Sequence, residues 1–297
     1  MKSHPLTAFS DSIKLQLDHS QTFTLQTLTS RPFLSLLVLF GLSLSGSYAA
    51  ASPQCDIKTI YKPLQDKTKA LEKQTRATLG SRPGMRIDNV LWVGKGQYQL
   101  ICNGRYPSLK PISRSNGPAI DHRTIKNWTR GDGKASGPGR YVFQDKSSYK
   151  KIPILPMNHE RIAEFGVKVA SDKDILNTPE SSVLATYDYG INYFKEFVLP
   201  ENGPRLERHP NDHLVTLVKS FKGRKSFFVV GQINNQSLEL AAIELKPGVT
   251  ILVKGNTVHT NDYVTGVVQE MYPEVWGIDE VRLINLSGNK VTLRPTQ

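Results

Sequence analysis

Three histidines in the second half of the sequence have the chemistry of a metal or proton-transfer site. They are His209, His213 and His259. Neutral imidazole is a good ligand for divalent zinc, nickel, copper or iron, and histidine is the side chain that exchanges protons most readily near neutral pH. The three residues are therefore our candidate metal ligands.

Whether His209 and His213 can share one ion depends on the backbone between them. In an extended strand, residues four apart face the same way but lie ~13 Å from each other, which is too far for one ion. The intervening Pro210-Asn211-Asp212 has the composition of a turn. The metal hypothesis therefore predicts that the chain turns here.

The elements that must position these histidines are short strands. From Lys151 onward, β-branched and aromatic runs recur at roughly ten-residue intervals with turn residues between them. This pattern predicts an antiparallel β-barrel or sandwich, and a small barrel can hold one ligand in its mouth. A helix is expected near 158–166, with Asn158 as its N-cap. The predicted strands are 182–187, 193–199, 214–219, 226–231, 238–245, 249–253, 264–271, 281–286 and 290–293.

Residues 52–149 have a different character from the rest of the chain. They contain 18 Lys and Arg against 7 Asp and Glu, whereas residues 150–297 contain 17 of each. This contrast predicts a basic α+β N-terminal domain over 52–149 and a separate domain over 150–297. The basic segment either contacts a polyanion or serves as a solubilising surface with no fixed partner.

Local patterns divide the basic segment further. Helical spacing of apolar residues predicts a helix over 56–79, broken near Pro63 and ended by Gly80. Runs at 89–93 and 97–102 predict a β-hairpin around Gly94-Lys95-Gly96. Residues 103–148 are rich in Gly, Pro, Ser, Lys and Arg, which predicts a linker.

The first 51 residues have the features of a cleaved signal peptide. Arg31 precedes an apolar run at 33–44, and Ala49-Ala50-Ala51 supplies a small-residue cleavage site. The run is shorter than the ~20 residues needed to span a bilayer. We therefore expect a secreted, periplasmic or cell-envelope protein, with an uncleaved signal anchor as the alternative because the leader is long.

Cys55 and Cys102 are the two cysteines of the chain. In an oxidising compartment they predict one disulfide, and two reduced thiols are the alternative. The absence of Cys-x-x-Cys spacing argues against a cysteine zinc site.

Three sequence landmarks follow one another after residue 150. The first is Ile152-Pro153-Ile154-Leu155-Pro156 running on to Phe165-Gly166. The second is Leu206-Glu207-Arg208-His209-Pro210, followed by an apolar strand at 225–231. The third is Pro247-Gly248-Val249-Thr250 leading to Lys254 and His259. In this order, the landmarks resemble the ureidoglycolate lyase family.

The resemblance implies a cupin-like β-barrel over about 150–297 and a homodimer. It also implies a carbon–nitrogen lyase of allantoin and purine catabolism, which cleaves ureidoglycolate to glyoxylate and urea. In that reaction Arg208 or Lys254 would bind the substrate carboxylate, because guanidinium and ammonium groups pair with carboxylates. His209 and His259 would be the catalytic proton carriers.

The chain departs from the family pattern at identifiable positions. The family has Ser-Gln where this chain has His213-Leu214, and Trp-His-His where it has Thr257-Val258-His259. The usual cupin pattern also places a Glu shortly after a closely spaced His pair, and no Glu lies between His213 and Gly223.

Two functions are therefore expected from the sequence. The first is an exported ureidoglycolate lyase-like enzyme acting on a small carboxylate-bearing ureido compound, with the cofactor left open and a divalent metal as the candidate. The alternative is a non-catalytic cupin-like ligand-binding module whose basic segment binds a polyanion.

Overall fold

The computed structural model describes residues 85–101, 108–113, 123–131, 137–201, 203–273 and 278–297. The predicted signal peptide, the helix over 56–79 and the Cys55–Cys102 disulfide lie outside these ranges.

The described residues are mainly β. In chain order the strands are β1 (Met85–Val93), β2 (Gly96–Ile101), β3 (Ser108–Ser113), β4 (Trp128–Thr129), β5 (Gly139–Phe143), β6 (Tyr149–Pro156), β7 (Val167–Val169), β8 (Ile175–Thr178), β9 (Ser182–Tyr189), β10 (Arg205–Arg208), β11 (His213–Lys219), β12 (Ser226–Asn234), β13 (Ser237–Leu245), β14 (Thr250–Val253), β15 (Val258–Thr260), β16 (Gly266–Pro273), β17 (Asp279–Asn285) and β18 (Thr292–Thr296).

These strands form two large sheets and one small one. The first large sheet has the order β1-β9-β16-β11-β14-β7, and the second has the order β18-β6-β13-β12-β15-β10-β17-β5-β4. The small sheet has the order β3-β2-β8. Pairing is antiparallel except for β6 with β13, β6 with β18 and β5 with β17, which are parallel. The prediction of a purely antiparallel arrangement is therefore wrong at these three pairs.

The main apolar core lies between the two large sheets. Tyr187 and Val215 of the first sheet share one buried cluster with Phe228 and Ile243 of the second. Successive strand residues face opposite ways, and Val229 accordingly belongs to a second buried cluster on the other face of β12. Because β12 is buried on both faces, its sequence is a continuous apolar run rather than an alternating one.

Two short helical segments connect the strands. A 3₁₀ helix spans Glu160–Phe165, and its N-cap is His159, whose Nδ1 accepts a hydrogen bond from the Arg161 backbone N–H at 3.1 Å. The cap therefore lies one residue after the predicted Asn158. Gly166 ends this helix with a left-handed φ of 70°, a conformation that favours glycine.

The strand predicted over 193–199 is wrong. A π-helical turn spans Phe194–Val198 and continues into a short α-helical turn at Leu199–Glu201. The aromatic and β-branched composition suggested a strand, but helical spacing lets Val198 pack into the core while Phe194 and Phe197 cover it. None of the helices in the described part of the chain is long and apolar enough to span a membrane.

Strands from before residue 150 belong to the same sheets as those after it. β1 pairs with β9, β5 pairs with β17, and β2 pairs with β3 and β8. The predicted hairpin is wrong because β1 and β2 join different sheets. The predicted linker over 103–148 contains β3, β4 and β5. The division expected at residues 149/150 therefore does not separate the sheets.

Candidate functional site

Strand β10 sends alternate side chains to opposite faces of its sheet. Leu206 faces the second apolar cluster, and Arg208 shares that face because it is two residues further along the strand. Glu207 faces the other way and is paired directly with His259 of β15. The Oε1 atom of Glu207 lies 3.4 Å from Nε2 of His259. Glu207 and His259 therefore belong to one face of the sheet.

The segment between β10 and β11 is held by side chains that bond to neighbouring backbone. Asn211 Oδ1 accepts from the Glu180 N–H at 2.9 Å, and Asn211 Nδ2 donates to the Glu180 carbonyl at 2.6 Å. Asp212 Oδ1 accepts from the Gly255 N–H at 2.7 Å. These bonds anchor Asn211 and Asp212 between the two histidines, and the His209 and His213 ring centroids lie 5.6 Å apart. The turn required for a shared ion is therefore present.

The three histidines form one buried cluster. His209, His213 and His259 can each offer a ring nitrogen such that all three atoms lie within 4.8 Å of one another. Their exposed fractions are 1%, 1% and 2%. The His259 ring centroid lies 4.9 Å from that of His209 and 5.0 Å from that of His213. The structure thus brings together all three histidines predicted as metal ligands.

Hydrogen bonds assign the ring nitrogens of two of these histidines. Nδ1 of His259 donates to the Thr257 carbonyl at 2.8 Å, so Nε2 carries the lone pair when this ring is neutral. Nε2 of His213 lies 3.0 Å from a Glu270 carboxylate oxygen, which can only accept from it, so Nδ1 carries the lone pair. These two lone-pair nitrogens lie 3.2 Å apart. Two acceptors at this distance require a proton or a metal ion between them.

His209 completes the argument for a metal. Neither of its ring nitrogens has a hydrogen-bond partner among the described residues, although both are buried. The Asn211 backbone approaches the ring without completing a hydrogen bond of normal geometry. A buried polar group without a partner costs on the order of 1–3 kcal/mol. A cation among the three rings would remove that cost.

The charge distribution is consistent with a cation site. Burial alone raises the pKa of Glu207, but the hydrogen bond with His259 and the nearby imidazole charges lower it to about 2, so the carboxylate is ionised. Burial lowers the pKa of His209 well below its usual value, and the charges of His259 and His213 lower it further. Burial also lowers the pKa of His259, but Glu207 more than offsets this and the pKa is raised. His209 is thus neutral, as metal ligands must be, whereas His259 would have to release a proton to bind a metal.

Glu270 is a residue that the sequence interpretation missed. One carboxylate oxygen accepts from His213, and the other accepts from the Tyr189 hydroxyl at 3.0 Å and from Asn261 Nδ2 at 3.2 Å. Carboxylates that hold the far nitrogen of a ligating histidine fix its tautomer and ring orientation. The available signal was an acidic residue on the same strand face as Val268 and Tyr272, within an apolar strand.

The neighbouring tyrosines are neutral hydrogen-bonding groups. Burial raises the pKa of Tyr189 and of Tyr272 well above the usual value, and the Glu270 charge raises both further. Their hydroxyl oxygens lie 3.2 Å apart. Both groups therefore keep their protons at physiological pH and support Glu270 without adding charge.

Arg208 does not reach the histidines, which corrects its assignment as a substrate-binding residue. It is buried on the other face of β10, where its Nε donates to Asp279 Oδ2 at 2.8 Å and its Nη2 lies 2.8 Å from the same oxygen. The Trp128 ring lies 5.6 Å from its guanidinium carbon. The physical reason is strand alternation: Glu207 faces the histidines, so the next residue on the strand, Arg208, points to the opposite face of the sheet.

Lys254 also lies outside the histidine cluster. Its Nζ donates to Asp212 Oδ2 at 3.1 Å and to the Ile175 carbonyl at 3.3 Å, and 45% of its side chain is exposed. These contacts hold the turn between His209 and His213 from outside. Lys254 is therefore a support for that turn, which corrects its assignment to the substrate carboxylate.

The donor set fits a divalent transition metal. Three imidazole nitrogens suit zinc, nickel, copper or iron, and Glu207 adds an ionised oxygen beside His259. No protein-family model, curated protein or solved structure matches this chain.

Proposed function

We propose that this protein is an exported, metal-dependent enzyme with a cupin-like barrel that acts on a small carboxylate-bearing compound, as ureidoglycolate lyases do. In this proposal His209, His213 and His259 bind one divalent metal. The observation that carries it is the convergence of their ring nitrogens, with His213 Nδ1 3.2 Å from His259 Nε2, beside a His209 ring that has no hydrogen-bond partner among the described residues.

The cupin-like part of the proposal is supported by the location of the cluster. The two large sheets share an apolar core, and two of the three buried histidines, His213 and His259, lie against Phe228 of that core. The Phe228 ring stacks on that of His259 with centroids 5.6 Å apart. Small β-barrels bind single ligands in such positions.

The chemistry follows from the charges that surround the cluster. A bound divalent metal would polarise a substrate hydroxyl or carboxylate oxygen as a Lewis acid. Glu207, ionised and 20% exposed, is the carboxylate placed to accept the hydroxyl proton. Transfer of that proton to the departing urea nitrogen, with formation of the carbonyl bond and cleavage of the carbon–nitrogen bond, balances the reaction. His209 and His259 are then metal ligands rather than proton carriers.

The test is metal content and turnover of the purified protein. We expect about one zinc, nickel, copper or iron ion per chain by elemental analysis, and glyoxylate release from ureidoglycolate that EDTA abolishes. His209→Ala and His259→Ala should lose the metal. His159→Asn is the matched control, because it removes an imidazole but retains an N-cap side chain.

The outcomes separate the two functions expected from the sequence. Metal binding together with glyoxylate release supports the lyase-like enzyme. Metal binding without release from ureidoglycolate or related ureido acids supports a non-catalytic ligand-binding module. Failure of the wild-type protein to bind any of these metals refutes the proposal.

A further inference from the structure

Three arginines lie side by side on neighbouring strands near the histidine cluster. Arg205 of β10 is paired with Arg282 of β17, and Arg282 is paired with Arg140 of β5. Directly paired residues on adjacent strands project from the same face of a sheet. The three guanidinium groups therefore form a row across three strands, which we call the arginine row.

The arginine row is on the same sheet face as the candidate metal site. Arg205 and Glu207 are two residues apart on β10, so they project from one face, and Glu207 is paired with His259. Arg282 is two strands away from His259 and two residues out of register with it, which gives a separation of about 12 Å at ~4.8 Å per strand and ~3.4 Å per residue. The arginine side chain spans part of this distance. A ligand of only a few carbon atoms could therefore contact both the arginine row and the histidine cluster.

The positive charge of the arginine row is only partly compensated. Nη1 of Arg205 lies 2.6 Å from Glu280 Oε1. Arg282 makes no side-chain hydrogen bond or ion pair with any residue that the structure describes, and its buried Nε has no partner. Arg140 is exposed. Like charges directly opposite each other destabilise a sheet, so an anion bound between these guanidinium groups would stabilise the arrangement.

We propose that the arginine row is the anion-binding part of the substrate site, in which Arg282 pairs with a carboxylate of the substrate. This replaces the predicted role of Arg208, whose guanidinium is already paired with Asp279 on the other face. The guanidinium fork binds carboxylates with two parallel hydrogen bonds. The identity of the substrate rests on the proposed function, but the anion site itself does not require the metal.

The experiment is calorimetric titration of succinate, a small dicarboxylate, into the full-length mature protein at low salt. Arg282→Gln is expected to weaken succinate binding at least about tenfold, because it removes a charge-assisted pair. Arg282→Lys is expected to be intermediate, since lysine lacks the fork. Arg224→Gln, which removes an exposed arginine at a distant turn, should stay within about twofold of wild type. Uncharged succinamide should not bind measurably.

Metal-free and zinc-loaded protein are both titrated, so that the two proposals fail separately. Succinate binding that depends on Arg282 but not on zinc supports the arginine row whatever the metal does. Zinc binding with equal succinate affinity for Arg282→Gln and Arg224→Gln overturns the arginine row and leaves the metal proposal standing. If circular dichroism shows that Arg282→Gln is unfolded, Arg140→Gln replaces it, and an unchanged affinity then overturns the inference.

Discussion

Gly255→Ala tests whether the turn between β10 and β11 positions the metal ligands. A Cβ at residue 255 would lie 2.1 Å from the Pro210 carbonyl oxygen and 2.9 Å from its carbon. Both atoms belong to backbone, so no side-chain rotation can relieve the contact. The Pro210 backbone must move, and Pro210 directly follows His209.

The size of the effect follows from that displacement. The oxygen must retreat from 2.1 Å to at least 3.0 Å, the shortest separation that real Cβ atoms show, a movement of about 0.9 Å. The neighbouring residues are joined by a hydrogen bond of 2.7 Å from the Asn256 N–H to the His209 carbonyl oxygen. The same displacement would strain this bond. Metal–ligand distances tolerate only ~0.2 Å. We therefore expect the metal affinity to fall about 100-fold. This is the upper end of the loss in affinity seen when residues that orient metal ligands are mutated.

The assay is competition for zinc against a chromophoric chelator, with unfolding followed in urea. The added methyl should also destabilise the fold by about 1–3 kcal/mol through overpacking, which leaves enough folded protein to titrate. Gly223→Ala is the control for backbone strain without a steric clash, because residue 223 has a left-handed φ of +72° and a Cβ there meets no atom within 4 Å. A zinc affinity of Gly255→Ala within threefold of this control would refute the claim that the turn sets the ligand geometry.

Three further predictions address the groups around the site. Glu270→Gln should weaken metal binding about 10–100-fold, because His213 loses its carboxylate partner. The absorption spectrum of the cobalt-substituted protein should also shift. An unchanged spectrum and metal affinity would argue against this role of Glu270. Arg208→Ala should destabilise the protein by about 3–5 kcal/mol in urea, because it leaves Asp279 buried without a counter-ion, whereas Arg208→Ala combined with Asp279→Ala should recover part of the loss. Zinc at 100 times its dissociation constant should stabilise the wild type by about 2.7 kcal/mol, read as a higher melting temperature that EDTA reverses and that His213→Ala does not show.

The sequence was informative where one local rule decides the structure. The composition of Pro210-Asn211-Asp212 predicted a turn, and side-chain bonds from Asn211 and Asp212 hold one there. Most strands after residue 180 were also predictable, because turn residues separate runs that are buried between sheets. The exceptions are β10, β15 and the helical turn at Phe194–Val198. The alternation of side chains along a strand would also have shown that Arg208 does not face the histidines, because it lies between Glu207 and His209.

Other features depend on pairings between distant segments and could not be read locally. Glu270 meets His213 only because β16 lies beside β11. The arginine row exists only because β10, β17 and β5 are neighbours. The residues at 193–199 have strand-like composition, but they form a helical turn that packs against the core. Tertiary packing therefore outweighs the local strand preference.

The incorporation of β1 and β5 into the large sheets has a consequence for any shortened form of the chain. A protein that began at Lys150 would lack both strands, and it would leave β9 and β17 each with an unpaired row of backbone N–H and C=O groups. Exposed strand edges recruit other chains and cause aggregation. The segment before residue 150 therefore also protects residues 150–297 from self-association.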